Sequence, residues 1–207
     1  MSRIYVVNGP AARKLKGTVR IVNTVSRTPG DWQSGLSPFL LGPVPLYDGR
    51  ESFCFENAWQ FAKAYRCHID PSGEPSPEYW KWAARGWADR VAHRYPMGKG
   101  SKPEYSYWCG EKLGYIDARL RIYFPLYRDA VAKTQAFSRL LSIYKNERVI
   151  ALFDFDGYSH ESMGMTLADV LLNDRRPMGH AFVLKAMLQY GPEVTPAEIL
   201  RENGREC

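Results

Sequence analysis

Three polar residues in one short stretch have the types and spacing to act together. In "FENAWQFAK" (residues 55–63), Glu56, Gln60 and Lys63 stand at i, i+4 and i+7. On a helix this puts a carboxylate, an amide and an amine on one stripe. A carboxylate beside an amine can stabilise a developing cation, orient water or move a proton. Glu56 also lies in the expected first turn, where the helix dipole favours negative charge. The same stripe reads as the solvated face of an amphipathic helix, with Phe55, Trp59 and Ala62 as the buried face.

A second set of carboxylates stands in "LFDFDGYSH", where Asp154 and Asp156 follow a continuously apolar run. Carboxylates at strand ends often reach into clefts, although Asp-Gly also simply makes turns. Two carboxylates can stabilise an oxocarbenium-like transition state and activate water. "MGKGSKPE" sets Gly98 and its neighbours beside Lys99 and Lys102, a combination of amides and ammonium groups that suits a phosphate. It matches neither a Walker A loop nor a dinucleotide fingerprint, and a flexible basic loop is the other reading. "NDRRPMGHAF" places Arg175 and Arg176 before a helix starting near Gly179, where an anion can bind. A solvated arginine pair is the alternative there.

The four histidines (His68, His93, His160 and His180) lack metal-ligand spacing, so no metal and no cofactor are expected. His160 is near enough to Asp156 to rank as a secondary acid/base candidate. Cys54 lies between Phe53 and Phe55, which favours a packed thiol over a nucleophile.

The elements that must position these groups follow from periodicity. "RIYVVN" and "TVRIVNTVS" are β-branched and read as strands. "FLLGPVPLY", broken by Pro43 and Pro45, belongs at a sheet edge, and Asp48-Gly49 turns it into "RESFCF". A helix is expected over 55–67 and another over 77–91, with proline in its first turn. The run from "YWCGEKLG" to "SIYK" is expected to hold two or three helical segments, kinked or broken at Pro125. "RVIALFDF" reads as a buried strand, and "TLADVLLN" and "GHAFVLKAMLQYG" as helices. The expected fold class is therefore α+β: a mainly helical single domain with a small β-sheet and no linker.

Composition sets the outer bounds. The 207 residues include 45% hydrophobic and 14% aromatic side chains, enough for a core and for a pocket that stacks a planar ligand. A net charge of +6 favours phosphate-bearing partners without a block of like charge. Cys54, Cys67, Cys109 and Cys207 have no CxxC spacing, so reduced thiols and a cytoplasmic location are expected. No run is long enough to span a membrane, and no membrane partner is expected.

The order of these motifs resembles the NADAR superfamily, the YbiA-like N-glycosidases. In that family a strand with an asparagine leads to an extended segment, a turn and a helix bearing Glu, His, Gln and Lys. This chain has "IVNTVS", "LSPFLLGPVPLYDGRESF" and "FENAWQFAK", with Asn57 in the place of the histidine. "MGKGSKP" resembles the family's Gly-Arg loop, "VIALFDFDGYSH" its aspartate loop and "RRPMGHAFVLKAM" its final Asn-x-Leu-Gly helix. The aspartate loop lacks the family's Trp-Gly, with Tyr158 standing near that place, and Arg-Pro-Met-Gly replaces Asn-x-Leu-Gly. The match would cover residues 18–190 as a core, with 1–17 an extension and 191–207 a tail.

The resemblance implies a metal-independent hydrolase that cleaves an N-glycosidic bond to ribose in an ADP-ribosyl or nucleotide-like substrate, including a modified nucleobase. Glu56 would stabilise the ribosyl cation or orient water, and Asp154 or Asp156 would be the partner acid/base. Lys63 would neutralise a phosphate or attack the opened sugar as a free amine. Asn23, Asn57, Trp59, Gln60, Gly98, Lys99, Tyr158, Arg176 and Gly179 would contact substrate, with Lys99 and Arg176 on phosphate. Two rivals stand beside this expectation: a nucleic-acid-binding or base-modifying protein, and a non-catalytic nucleotide or ADP-ribose sensor.

Overall fold

A computed structural model describes residues 3–205. The chain falls into two compact units, one built from the segments before Pro38 and from Tyr127 onward, the other from Pro38–Leu126. The first segment supplies β1 (Arg3–Val7), α1 (Gly9–Leu15) and β2 (Arg20–Asn23). The middle segment supplies β3 (Val44–Pro45), β4 (Glu51–Ser52), α2 (Phe55–Gln60), β5 (Lys63–Ala64), α3 (Pro77–Ala88), β6 (Tyr105–Trp108), β7 (Glu111–Leu113) and α4 (Tyr115–Ala118). The chain then continues with α5 (Phe124–Val131), α6 (Gln135–Asn146), β8 (Val149–Phe153), α7 (Leu167–Leu172), α8 (His180–Tyr190) and α9 (Pro196–Glu202). Helix outweighs strand and the sheets are small, an α+β arrangement.

The two-segment unit is organised by a parallel three-stranded sheet in the order β1-β8-β2. β8 is central, which explains its unbroken apolar run. Ile4, Val6, Ile150 and Leu152 are buried on one face. α8 packs against β1 and β8, and its residues His180–Leu188 are all buried, which explains a helix apolar nearly all round. α1 is capped by the Asn8 side chain, which accepts from the Ala11 N–H, and buries none of its residues. Residues 1–17, expected as an extension, thus contribute β1 and α1 to this unit. Capping boxes at Thr166/Asp169 and Thr195/Glu198 start α7 and α9.

The Pro38–Leu126 unit begins with the β3–β4 hairpin. Asp48 (φ 55°) and Gly49 (φ 68°) form its turn in the left-handed region, as two-residue hairpins require. α3 is capped by Ser76 with Pro77 at its first position. Phe61, Ala64, Tyr79, Ala83 and Trp87 form the core of this unit. Gly86 lets the Phe61 ring lie against α3: an added Cβ would come within 2.0 Å of it.

Three expectations are corrected. The helix over 55–67 ends at Gln60, because the chain from Ala62 to Ala64 pairs with the segment at 104–107 instead. The hydrogen bonds Tyr107 N–H to Ala62 O (2.7 Å) and Glu104 N–H to Ala64 O (2.9 Å) outbid the local helical pattern. "YWCGEKL" is not helical but the β6–β7 hairpin, turned by Cys109 (φ 49°) and Gly110 (φ 85°). Pro125 does not break its helix. The run from Tyr115 to Val131 is continuous, with a π turn over Arg119–Tyr123 just before the proline, where its ring and missing N–H disturb the ladder.

Candidate active site

The Glu56–Gln60–Lys63 stripe is not solvated. All six residues of α2 are buried, with Glu56 at 7% and Gln60 at 9% exposure. The helix has no side-chain cap. Its first N–H groups are met by loop carbonyls instead: Phe55 N–H by Leu41 O and Glu56 N–H by Pro38 O. Packing of an extended loop over its N-terminus therefore takes Glu56 out of water.

The three side chains form one hydrogen-bonded row. Gln60 Nε2 donates to Glu56 Oε1 at 3.0 Å, and Lys63 Nζ donates to Gln60 Oε1 at 2.7 Å. The amide thus relays between carboxylate and amine. Lys63 reaches it from β5, past the helix end, so the row survives although the helix does not extend to it. Lys63 Nζ also lies 4.5 Å from the centroid of the Trp59 ring, and that ring meets Tyr123 edge-on at 5.1 Å. Burial pulls the Lys63 amine down to about 8, against the opposing pull of the Glu56 carboxylate. Lys63 keeps partial exposure, so the row ends at a group able to exchange a proton.

Asn57 does different work. Its Nδ2 donates to Asp89 O and Val91 O, each at 2.9 Å, and its Oδ1 accepts from the His93 N–H at 2.9 Å. Fully buried, it clamps the start of the basic loop that follows α3. Gly98 and Lys99 lie at the exposed tip of that loop, with Gly98 (φ 89°) and Gly100 (φ 92°) in the left-handed region.

The remaining expected residues belong to the two-segment unit. Asp154 is 2% exposed at the end of β8. Its Oδ1 accepts from the Asp156 N–H (3.0 Å); its Oδ2 accepts from the Ala181 N–H (3.0 Å) and faces His180 Nδ1 (3.1 Å). His180 Nε2 faces Thr24 O at 2.9 Å. Asp154 therefore ties the β8 loop to the start of α8. Gly179 is required there, since a Cβ would sit 2.2 Å from Asp154 Oδ2. Asp156 is half-buried on the same loop. Tyr158 packs on Phe182 (4.8 Å) and carries the Arg176 guanidinium 5.4 Å above its ring. Asn23 ends β2: its N–H donates to Gln33 Oε1 (2.6 Å), and its Oδ1 accepts from the Val25 N–H (3.2 Å).

The sequence pointed to His160 beside Asp156, but not to the cluster that His160 joins around Lys185. This residue is 1% exposed; its Nζ donates to Ile4 O (3.0 Å) and Glu161 Oε1 (2.6 Å) and lies 3.5 Å from His160 Nε2. Burial, aided by the Lys185 charge and opposed by Glu161, pushes His160 down to about 4, so its ring is neutral near pH 7. A lone lysine inside "HAFVLKAMLQY" was the available signal.

Among the described residues, no group of three or more His, Cys, Asp or Glu side chains is placed to hold a metal ion, and no helix is long and apolar enough to cross a membrane. No family model matches the chain, and neither a curated protein nor a solved structure matches it.

Proposed function

We propose that the protein hydrolyses an N-glycosidic bond to ribose in an ADP-ribosyl or nucleotide-like substrate, with the Glu56–Gln60–Lys63 row as its catalytic centre and a NADAR-like fold as its scaffold. One observation carries this reading: a buried carboxylate and amide and a half-buried amine, joined by bonds of 3.0 and 2.7 Å, with the amine lowered to about 8. In the reaction water adds to C1 of ribose as the C–N bond breaks. The bonding pair stays on the base nitrogen, and the proton that the water loses goes to the departing base, or to solvent where the base leaves as neutral nicotinamide. Glu56 supplies negative charge where the ribose becomes cationic. Lys63, when protonated, pairs with a phosphate; deprotonated, it is a nucleophile for C1 of an opened sugar. A cytoplasmic setting belongs to the same proposal, supported by free thiols at Cys54, Cys67 and Cys109.

The test is release of free base from ADP-ribosyl-guanine and from NAD, followed by chromatography. Glu56→Gln is expected to lower turnover by about a hundredfold or more while keeping the unfolding midpoint. Unchanged turnover would remove Glu56 from the mechanism.

A sensor is the second reading, and Asp154 favours it. The aspartate that the family resemblance makes an acid/base has both oxygens engaged by backbone N–H groups and His180. Stoichiometric binding of ADP-ribose without product would select this reading.

A further inference from the structure

The chain's excess positive charge has one origin. Its first thirty residues contain six basic side chains (Arg3, Arg13, Lys14, Lys16, Arg20 and Arg27) and no carboxylate. Of 28 basic and 22 acidic residues in the whole chain, this leaves 22 and 22 for the remainder. The +6 therefore arises where β1, α1 and β2 are built.

That region also contains an open apolar cavity of about 370 Å³. In a strand, alternate residues share a face, so Tyr5 and Val7 of β1 lie on the side opposite Ile4 and Val6. By the parallel register, Val149 of β8 shares the Tyr5 and Val7 face. Ala11 and Leu15 of α1, with Val19 beyond it, complete an apolar lining. α1 leaves this space because it lies on the sheet without burying a single residue. Two polar residues reach the lining, Lys14 and Ser159.

The nearby cations are not equally available. Arg20 pairs with Glu147 at 3.4 Å, and Arg3 lies over the Tyr5 ring and acts on Glu161. Arg13, Lys14 and Lys16 have no carboxylate partner among the described residues. An apolar slot edged by an unneutralised lysine is complementary to a molecule with an apolar body and one anionic end. The volume lies at the lower end of the roughly 300–1,000 Å³ typical of small-ligand sites.

We infer that the cavity between α1 and the β1–β8 sheet face binds a single-chain amphipathic anion, an acyl chain ended by a carboxylate, with the chain against Tyr5, Val7, Leu15 and Val149 and the carboxylate on Lys14. The site is independent of the Glu56 row, which belongs to the other unit.

Decanoate is the probe and decanol its neutral control, both titrated calorimetrically into the full-length protein. One decanoate per chain is expected, with decanol weaker by about fivefold, the scale of an exposed ion pair. Lys14→Gln should weaken decanoate about fivefold and leave decanol unchanged. Ala11→Trp should fill the slot and abolish both; because no residue of α1 is fully buried, an unchanged thermal midpoint is expected and will show that the fold is intact. The inference is overturned by absence of decanoate binding, by equal affinity for decanol, or by binding that Ala11→Trp does not touch. Co-sedimentation with phosphatidylglycerol vesicles but not phosphatidylcholine vesicles, together with no uptake of free decanoate, would replace it with a membrane-surface role for the basic segment.

Discussion

Two buried carboxylates centre the two candidate regions, and their surroundings differ in kind. Asp154 is enclosed by two backbone N–H groups and an imidazole, and its bonds join a strand end to a helix start. Glu56 is bonded to an amide whose far end holds an amine, on a lysine that is only half-buried. Burial is common to both, so burial does not distinguish a reactive carboxylate from a structural one. What distinguishes them is where the hydrogen bonds lead. The Asp154 bonds return to the backbone; the Glu56 bonds run outward to a group that titrates near pH 8.

The sharpest way to break this comparison is to remove each carboxylate in turn. Asp154→Ala leaves His180 Nδ1 and the Ala181 and Asp156 N–H groups without their acceptor, and should cost about 3–5 kcal/mol in urea unfolding. Glu56→Gln keeps the shape and an acceptor for Gln60, and should cost less than about 1 kcal/mol. Equal losses would mean that both carboxylates are structural.

The next effect is pH-dependent and belongs to the Asp154 unit. His160 titrates at about 4 in the fold against 6.5 ordinarily, so between these values the unfolded chain binds more protons. This residue's contribution is present above pH 6.5 and is lost as pH falls to 4, up to about 3 kcal/mol. Unfolding followed at pH 4 and pH 7 should show that dependence reduced in His160→Gln. An unchanged slope would exclude His160 as its source.

Asn57 is the third handle. Asn57→His introduces the residue that the resemblance would place there, but inserts a larger ring into a fully buried position and breaks three bonds to the loop. A loss of about 2 kcal/mol is expected by chemical denaturation. A neutral result would mean that the cage adapts and that the position tolerates an imidazole.

The smallest effect is the most direct on the row. The Lys63 side-chain carbon resonance should titrate near 8 in the wild type, and lower in Glu56→Gln, because the carboxylate is what holds the amine up. A midpoint that stays put or rises would disconnect the two ends of the row.

Much of this was legible in the chain. Alternating or continuous apolar runs marked β1, β2 and β8, and Asp48-Gly49 marked its hairpin because few other residues tolerate two successive left-handed conformations. The second hairpin was missed: Cys109-Gly110 is a weaker signal, and the aromatic "YSYW" before it pairs with residues over forty positions earlier. The helix end at Gln60 was missed for the same reason, since a local pattern carries no information about a distant strand. The buried Lys185 cluster needed α8 in place against β1 before its partners could be named.

By itself the sequence determined which groups stand in the α2 stretch, their i, i+4 spacing, the buried strand over "RVIALFDF" and the excess of basic residues before Asp31. Those features are local: they depend on residue type, on helix and strand periodicity and on counting. Only the tertiary structure decided that the polar stripe of α2 is buried, that its amide bridges carboxylate to amine, and that Asp154 serves the start of α8. Desolvation and hydrogen-bond partnership are set by groups far away in the chain, and they alone decide whether a carboxylate is wet, structural or poised to react.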